Sequence, residues 1–228
     1  MRTLVIPLAL VAACAKSPEP SGGSDAGFVG RPDDDFDSGG TSDFDSGSGD
    51  FDAGNSDAPS GCTNKIVINE LMPEGSAVND EFIELYNAST CDVTIDNFKL
   101  MYKSATGTPA NGAPLHTFAA GTMIKSKGYY VVGTTQYTGT KNATFNGGGV
   151  TVNGGMSKDG QIALFDANGM KLDGVGYGGV TGDYIETAPA VKAAAGASLG
   201  RKTDGVDTDD NSKDFAVETK TPGAMNGI

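Results

Sequence analysis

KIVINEL at residues 65–71 is rich in β-branched apolar residues, and EFIELYN follows it at residues 81–87. Runs of this composition predict β-strands. In the second run Phe82 and Ile83 disturb a period of two, and the predicted core residues are Ile83, Leu85 and the later Phe98. The two runs therefore predict the opening strands of a β-domain.

Eight further strands are predicted downstream of these two. They cover residues 93–95, 98–102, 116–118, 129–133, 161–166, 171–177, 198–201 and 215–217. Asn168-Gly169 lies between two of them and is a strong hairpin signal. The one helix-like stretch, residues 188–197, is predicted to be a loop or a single turn. Many short strands, with 34 glycines in the chain, favour an all-β sandwich.

The order of these motifs resembles the lamin tail domain family. The resemblance rests on IVINELM at 66–72, EFIELYN at 81–87, VTIDNFKL at 93–100, KGYYVV at 127–132, GQIALFD at 160–166, LDGVGYG at 172–178, SLGR at 198–201 and TPGAMN at 221–226. It covers about residues 65–227. It implies an immunoglobulin-like β-sandwich that serves as a binding and structural module. An acidic domain without a coiled-coil rod speaks against the chromatin role of the nuclear members.

The N-terminus has the features of an export signal. Arg2 precedes an apolar run that is too short to span a bilayer, and two alanines stand directly before Cys14. This pattern resembles a bacterial lipoprotein signal, which implies cleavage after residue 13 and acylation of Cys14. Since Ala15 follows the cysteine, known sorting rules favour the outer membrane or cell surface. The predicted membrane partner is thus reached through the N-terminal lipid.

Residues 14–61 are predicted to be a disordered acidic tether between the signal peptide, residues 1–13, and the sandwich domain, residues 62–228. From residue 15 to 61 there are eleven acidic and two basic residues, and an Asp-Phe-Asp-(Ser/Ala)-Gly unit occurs three times. Such composition cannot bury enough apolar surface to fold. The unit predicts a spacer, with weak calcium binding as the alternative. The chain's net charge of −13 argues against nucleic acid as a partner.

The three cysteines are assigned by position. With Cys14 acylated, Cys62 and Cys91 form an even pair in an exported protein, which favours a disulfide. Two buried thiols are the alternative. A metal site is disfavoured because no further cysteine is available and His116 is the only histidine.

Catalytic chemistry is not predicted. The chain has one histidine, and its one Gly-x-Ser-x-Gly match, GASLG at residues 196–200, leads into a predicted strand and not into the helix that a nucleophile elbow requires. Glu70, Glu81 and Glu84 form the carboxylate cluster most suited to acid–base or metal chemistry, since Glu70 could approach Glu84 in a hairpin. We favour the structural interpretation, in which these are solvent-side or turn-bonding carboxylates.

The segment of residues 204–214 is the best candidate for a ligand site. Its candidate calcium ligands are Asp204, Asp207, Asp209, Asn211 and Asp214. Ser212 occupies the position where an EF-hand loop needs glycine, and no flanking helices are predicted, so an EF-hand is disfavoured. A looser calcium site remains open beside the favoured alternative, an Asx-rich loop that caps its own backbone.

Glycan binding is also weighed, because surface sandwiches often use stacked aromatic residues. The chain has no tryptophan, and its candidates are Tyr129, Tyr130, Tyr137, Tyr177 and Tyr184. We therefore expect a non-catalytic, lipid-anchored module without a cofactor that contacts a protein or surface matrix. A calcium-dependent adhesin or glycan-binding domain is the alternative.

Overall fold

The structure is a computed structural model, and it describes residues 62–105, 114–147 and 155–228. These residues contain twelve β-strands and one four-residue helix, joined by turns and loops. The predicted signal peptide, the acylated Cys14 and the tether of residues 14–61 lie outside these ranges. Among the described residues, no helix has the length and apolarity that a membrane crossing requires.

The larger sheet has six strands. Their spatial order is β12 (Phe215–Glu218), β11 (Ser198–Arg201), β1 (Ile66–Met72), β2 (Phe82–Asn87), β7 (Tyr129–Gly133) and β8 (Ala143–Thr144). Neighbours are antiparallel except β7 and β8, which are parallel. The strands predicted first in the sequence therefore lie at the centre of this sheet.

A second sheet of four antiparallel strands faces the first. Its order is β10 (Lys171–Tyr177), β9 (Gly160–Phe165), β4 (Lys99–Ser104) and β5 (His116–Thr117). A third sheet pairs β3 (Val93–Thr94) with β6 (Met123–Ile124), and α1 (Asn211–Asp214) precedes β12. The architecture is the expected immunoglobulin-like β-sandwich.

The core lies between the two large sheets. Ile68, Leu85 and Leu199 from the six-stranded sheet pack with Leu164 and Val175 from the four-stranded sheet, and all five are fully buried. Ile83 and Leu85 are core residues as predicted, and Phe98 packs against the same cluster while partly exposed. Interdigitation of side chains from two inner faces is the usual source of stability in a sandwich.

A β-bulge in β1 decides which side chains reach the core. Ile68 lies opposite Leu85, and Glu70 lies opposite Glu84, so Asn69 is an extra residue. Because side chains alternate along a strand, one extra residue reverses the alternation beyond it. Ile68 and Leu71 therefore both face the core. Glu70 is turned to the opposite, outer face together with Glu84.

All ten predicted strands are confirmed, with ends that move by at most two residues. The Asn168-Gly169 hairpin is also confirmed: Gly169 has a φ of 84° and its N–H donates to the Asp166 carbonyl over 3.1 Å. Residues 188–197 contain no helix, as expected for a loop. The two-residue strands β6 and β8 and the helix α1 were not predicted.

Cys62 and Cys91 form the expected disulfide, with Cα atoms 6.0 Å apart. The bridge fastens the chain just before β1 to the loop after β2. Ser89 supports the same junction, because its hydroxyl accepts from the Lys65 N–H over 2.9 Å and donates to the Thr63 carbonyl over 2.6 Å. The entry to the first strand is therefore held by one covalent bond and a hydrogen-bonded clamp.

Candidate functional site

The most highly charged buried site of the sandwich is centred on Arg201, whose side chain is fully buried. Arg201 lies at the end of β11 and faces the inner side, as Leu199 does two residues earlier. Asp173 on β10 faces it from the other sheet and is also fully buried. Two hydrogen bonds of 3.0 and 3.1 Å join the guanidinium Nη2 to the Asp173 carboxylate. This ion pair connects the two sheets.

The same pair also satisfies the backbone that the bulge in β1 displaces. The Ile68 N–H donates to Asp173 Oδ2 over 2.6 Å, and Arg201 Nε donates to the Ile68 carbonyl over 2.8 Å. Buried peptide groups without partners cost free energy comparable to a lost hydrogen bond. Arg201 and Asp173 therefore hold both the sheet-to-sheet contact and the bulge.

Two of the predicted calcium ligands, Asp207 and Asp214, are partners of Arg201. Their carboxylates lie 3.2 and 3.1 Å from its Nη1. Asp214 also accepts from the Thr208 N–H over 2.8 Å and from the Thr208 hydroxyl over 2.6 Å. Burial lowers the pKa of Arg201, but the charges of Asp173, Asp207 and Asp214 outweigh it, so its pKa lies above the ordinary value. Arg201 is thus charged at any physiological pH.

Asn211, another predicted ligand, closes the edge of β10. Its Oδ1 accepts from the Gly176 N–H over 2.9 Å, and its Nδ2 donates to the Gly174 carbonyl over 2.8 Å. Its Oδ1 also accepts from the Glu186 N–H over 3.1 Å. An unpaired strand edge invites association with other chains. The amide of Asn211 pairs the edge groups of Gly174 and Gly176 internally.

The remaining two predicted ligands lie elsewhere. Asp204 accepts from the Asn226 N–H over 3.2 Å and from the Tyr129 hydroxyl. Asp209 is exposed, with a φ of 56°, and its carbonyl accepts from the Thr187 hydroxyl over 2.7 Å. Of the five predicted ligands, Asp207 and Asp214 thus share Arg201, Asn211 and Asp204 have other internal partners, and Asp209 is exposed. Calcium binding by this set stays a prediction.

One group of carboxylates in the described ranges has the spacing of a metal site. Oxygens of Asp173, Glu186 and Asp207 lie within 4.8 Å of one another. Burial, followed by the charges of Asp173 and Asp207, raises the pKa of Glu186 to about 7. Only Asp207 belongs to the predicted set. Because the Arg201 guanidinium already bonds to Asp173 and Asp207, a cation would have to compete with it.

Glu70 and Glu84 lie side by side on β1 and β2, as the predicted approach of the two in a hairpin requires, since they are direct cross-strand partners. Of the two expected arrangements, the solvent-side one is wrong, because both groups are fully buried, whereas the turn-bonding one is confirmed by their hydrogen bonds to the turn at residues 221–224. Glu70 accepts from the Thr221 N–H over 3.0 Å, and Glu84 accepts from the Gly223 N–H over 2.6 Å. The C-terminal residues cover these side chains, which is why local sequence could not reveal their burial.

Glu81 does not join this pair. It lines a cleft of about 590 Å³ together with Glu74, Asn79, Ser157 and Lys158. Its Oε2 accepts from the Met156 N–H over 2.5 Å, and burial raises its pKa to about 7. The three glutamates of the predicted carboxylate cluster therefore serve two different places on the molecule.

The five tyrosines considered for sugar stacking also lie in different environments. Tyr137, Tyr177 and Tyr184 are buried, whereas Tyr129 and Tyr130 are half-buried. Tyr129 packs on Tyr86 with ring centroids 4.9 Å apart. His116 is also buried, with its ring edge-on to Phe118, and burial lowers its pKa to about 4. The chain's one imidazole is therefore neutral near pH 7 and packed in the interior.

Arg201 and Asn69 are the structural residues that sequence reasoning missed. The SLGR strand pattern gives Arg201 no role, although an arginine in a predicted strand before an Asp-rich segment is a usable signal. Asn69 accepts from the Gly205 N–H over 3.2 Å and donates to Glu84 Oε1 over 3.1 Å. Its role depends on the bulge, which has no local signature in KIVINEL.

Comparison with known proteins agrees with this geometry. The family model described as Lamin Tail Domain matches residues 59–179, more than half of the chain, and that segment contains every strand from β1 to β10. The comparison with curated proteins found no match. The SLGR and TPGAMN motifs of the resemblance lie beyond the matched segment. By the family match and the sandwich it contains, this chain belongs to the lamin tail domain family.

Proposed function

We propose that this chain is a non-catalytic binding or structural module that a lipid on Cys14 holds at the outer membrane or surface of a bacterial cell. The domain contacts a protein or the surface matrix. Membership of a family of immunoglobulin-like, non-enzymatic domains supports this proposal.

The non-catalytic part is supported by how four buried carboxylates, those of Asp173, Asp214, Glu70 and Glu84, are used. Asp173 and Asp214 are bound by Arg201, while Glu70 and Glu84 accept backbone N–H groups of the chain's own C-terminal residues. A catalytic acid or base must reach a proton of the substrate. Carboxylates whose oxygens are engaged inside the fold instead stabilise loops and strands.

The anchoring part is tested by metabolic labelling with a clickable palmitate analogue in cells that express the natural chain. We expect label on the natural chain, recovered in the membrane fraction, because two or more acyl chains give stable anchoring. Cys14→Ala should lose both the label and the membrane recovery, and Ser17→Ala is the matched control. An unlabelled natural chain, or label that persists in Cys14→Ala, contradicts the proposal.

The contact part is tested by chemical crosslinking of intact cells. Discrete crosslinked species are expected for the natural chain. They should disappear in Cys14→Ala, because without the lipid the domain of this variant no longer stays at the cell surface. If the natural chain yields only uncrosslinked product at every crosslinker length, a surface-contact role is rejected.

A calcium-dependent adhesin or glycan-binding domain is the second candidate, favoured by the spacing of Asp173, Glu186 and Asp207. Calorimetry with calcium chloride, together with melting with and without chelator, separates the two candidates. The lipid-anchored module without a cofactor predicts no binding heat and no change in melting temperature. A saturable heat and a raised melting temperature, both lost in Asp207→Asn, would show the calcium site that the second candidate requires and would favour it over the first.

A further inference from the structure

The C-terminal residues 221–226, named here the C-terminal strap, bind to the outer face of the six-stranded sheet. Thr221 and Gly223 donate their backbone N–H groups to Glu70 and Glu84. Asn226 closes the far end, because its Nδ2 donates to the Arg201 carbonyl over 2.9 Å. The strap thus lies over strands β1, β2 and β11 and is held mainly by side-chain acceptors.

The two carboxyl groups under the strap face each other on adjacent strands. Glu70 and Glu84 are cross-strand partners and both are fully buried. Directly opposed like charges are destabilising in a sheet. In the described ranges, none of the lysine and arginine side chains forms an ion pair with either group. Nothing cationic therefore offsets the burial of two ionised carboxylates here.

The surrounding titratable groups are almost all acidic. The carboxylates among them are Glu218 from β12, Asp204 from the loop after β11 and Asp80 from the loop before β2. The others are Tyr129 from β7, Tyr137 from the loop after β7, and Lys220, which directly precedes the strap. Lys220 is the one cation among them, and it lies 3.9 Å from Asp80 and over the Tyr137 ring. The neighbourhood adds to the cost of ionising both glutamates.

We propose that the C-terminal strap is a proton-dependent latch, closed over Glu70 and Glu84 while at least one of these carboxyl groups is protonated and released when both are ionised. The strap N–H groups donate to a carboxyl oxygen in either protonation state and favour the ionised form, which lowers the pKa of both glutamates, but the effect of burial is larger and of opposite sign. Release admits water to the two charges, which removes the cost of holding them buried and opposed.

The direction of the pH dependence follows from proton linkage. Burial raises the pKa of Glu70 to about 7 and that of Glu84 to about 8, whereas water would move both pKa values back toward their ordinary range once the strap leaves. Closing the strap therefore takes up protons. The closed state has its full advantage below the ordinary glutamate pKa and loses it as the pH rises through 7 to 8.

The test is amide hydrogen exchange of Thr221 and Gly223 in the full chain, corrected for the intrinsic pH dependence of exchange. We expect their protection to fall at least tenfold between pH 5.5 and 8.5, since one pKa unit of linkage corresponds to a factor of ten. Amides of the β9–β10 ladder should keep their protection and so report that the sandwich stays folded. Equal strap protection at both pH values contradicts the latch.

Two variants sharpen this result. Glu84→Gln keeps an oxygen acceptor for Gly223 but cannot ionise, so strap protection should persist at pH 8.5; Glu70→Gln provides an independent second version. Glu81→Gln, a buried glutamate outside the strap, is the matched control and should leave the pH dependence unchanged. An undiminished loss of protection in both Glu84→Gln and Glu70→Gln would overturn the assignment to this pair.

Discussion

Replacing Arg201 with methionine is expected to lower the free energy of unfolding by about 3–5 kcal/mol, because removing one partner strands a buried charge. The stranded groups are Asp173, which is fully buried on the opposite sheet, and Asp214, whose side chain is 3% exposed. The Ile68 carbonyl also loses its donor, Arg201 Nε. Methionine occupies similar space, so the loss reports electrostatics and hydrogen bonding more than packing.

Chemical denaturation of the natural chain and of Arg201→Met measures this loss. Lys125→Met is the matched control, since it removes an ion pair to Asp92 whose two side chains are 77% and 42% exposed. An exposed pair contributes about 1 kcal/mol or less. Adding Asp173→Asn to Arg201→Met removes one of the stranded charges and should recover part of the stability. A loss in Arg201→Met no larger than in Lys125→Met would refute the role given to this arginine.

The second large effect is expected from the disulfide. Cys62 and Cys91 are separated by 29 residues in sequence, and closing a loop of that length stabilises a folded chain by roughly 3–4 kcal/mol in the chain-entropy model. The double variant Cys62→Ala, Cys91→Ala should lose that amount, because its unfolded chain regains the freedom that the bridge removes.

Thermal melting with and without a reductant measures the bridge. The natural chain should melt at a lower temperature in reductant, while the double variant should melt at the same temperature in both conditions. If complete reduction, verified by thiol titration, leaves the melting temperature of the natural chain unchanged, the bridge does not stabilise the domain.

The strands could be predicted because their signals are local. The β-branched run at residues 65–71 and the Asn168-Gly169 turn each specify backbone conformation within a few residues. The strands β6 and β8 have two residues each and form only where a neighbouring chain meets them. Met123–Ile124 and Ala143–Thr144 each hold one β-branched residue, whereas the equally short β3 and β5 lie in the predicted runs of residues 93–95 and 116–118, which hold two or more β-branched or aromatic residues.

The polar clusters were predictable in composition but not in arrangement. Glu70 and Glu84 were expected to approach, yet their burial depends on a strap that begins more than a hundred residues later in the chain. Asp207 and Asp214 were considered as calcium ligands because they lie in an acidic segment. Their proximity to Arg201 follows from how the loop after β11 returns to the sheet, and that is a property of the tertiary fold.

Buried polar side chains serve as hydrogen-bond acceptors that hold the sandwich and its loops together. Hydrogen exchange of four amides at pH 6 tests this role most directly: Ile68, Gly176, Thr221 and Gly223, which donate to Asp173, Asn211, Glu70 and Glu84. We predict that all four are protected by several orders of magnitude relative to an unfolded chain. Exchange of these amides at unfolded rates, while the β9–β10 ladder remains protected, would contradict the account.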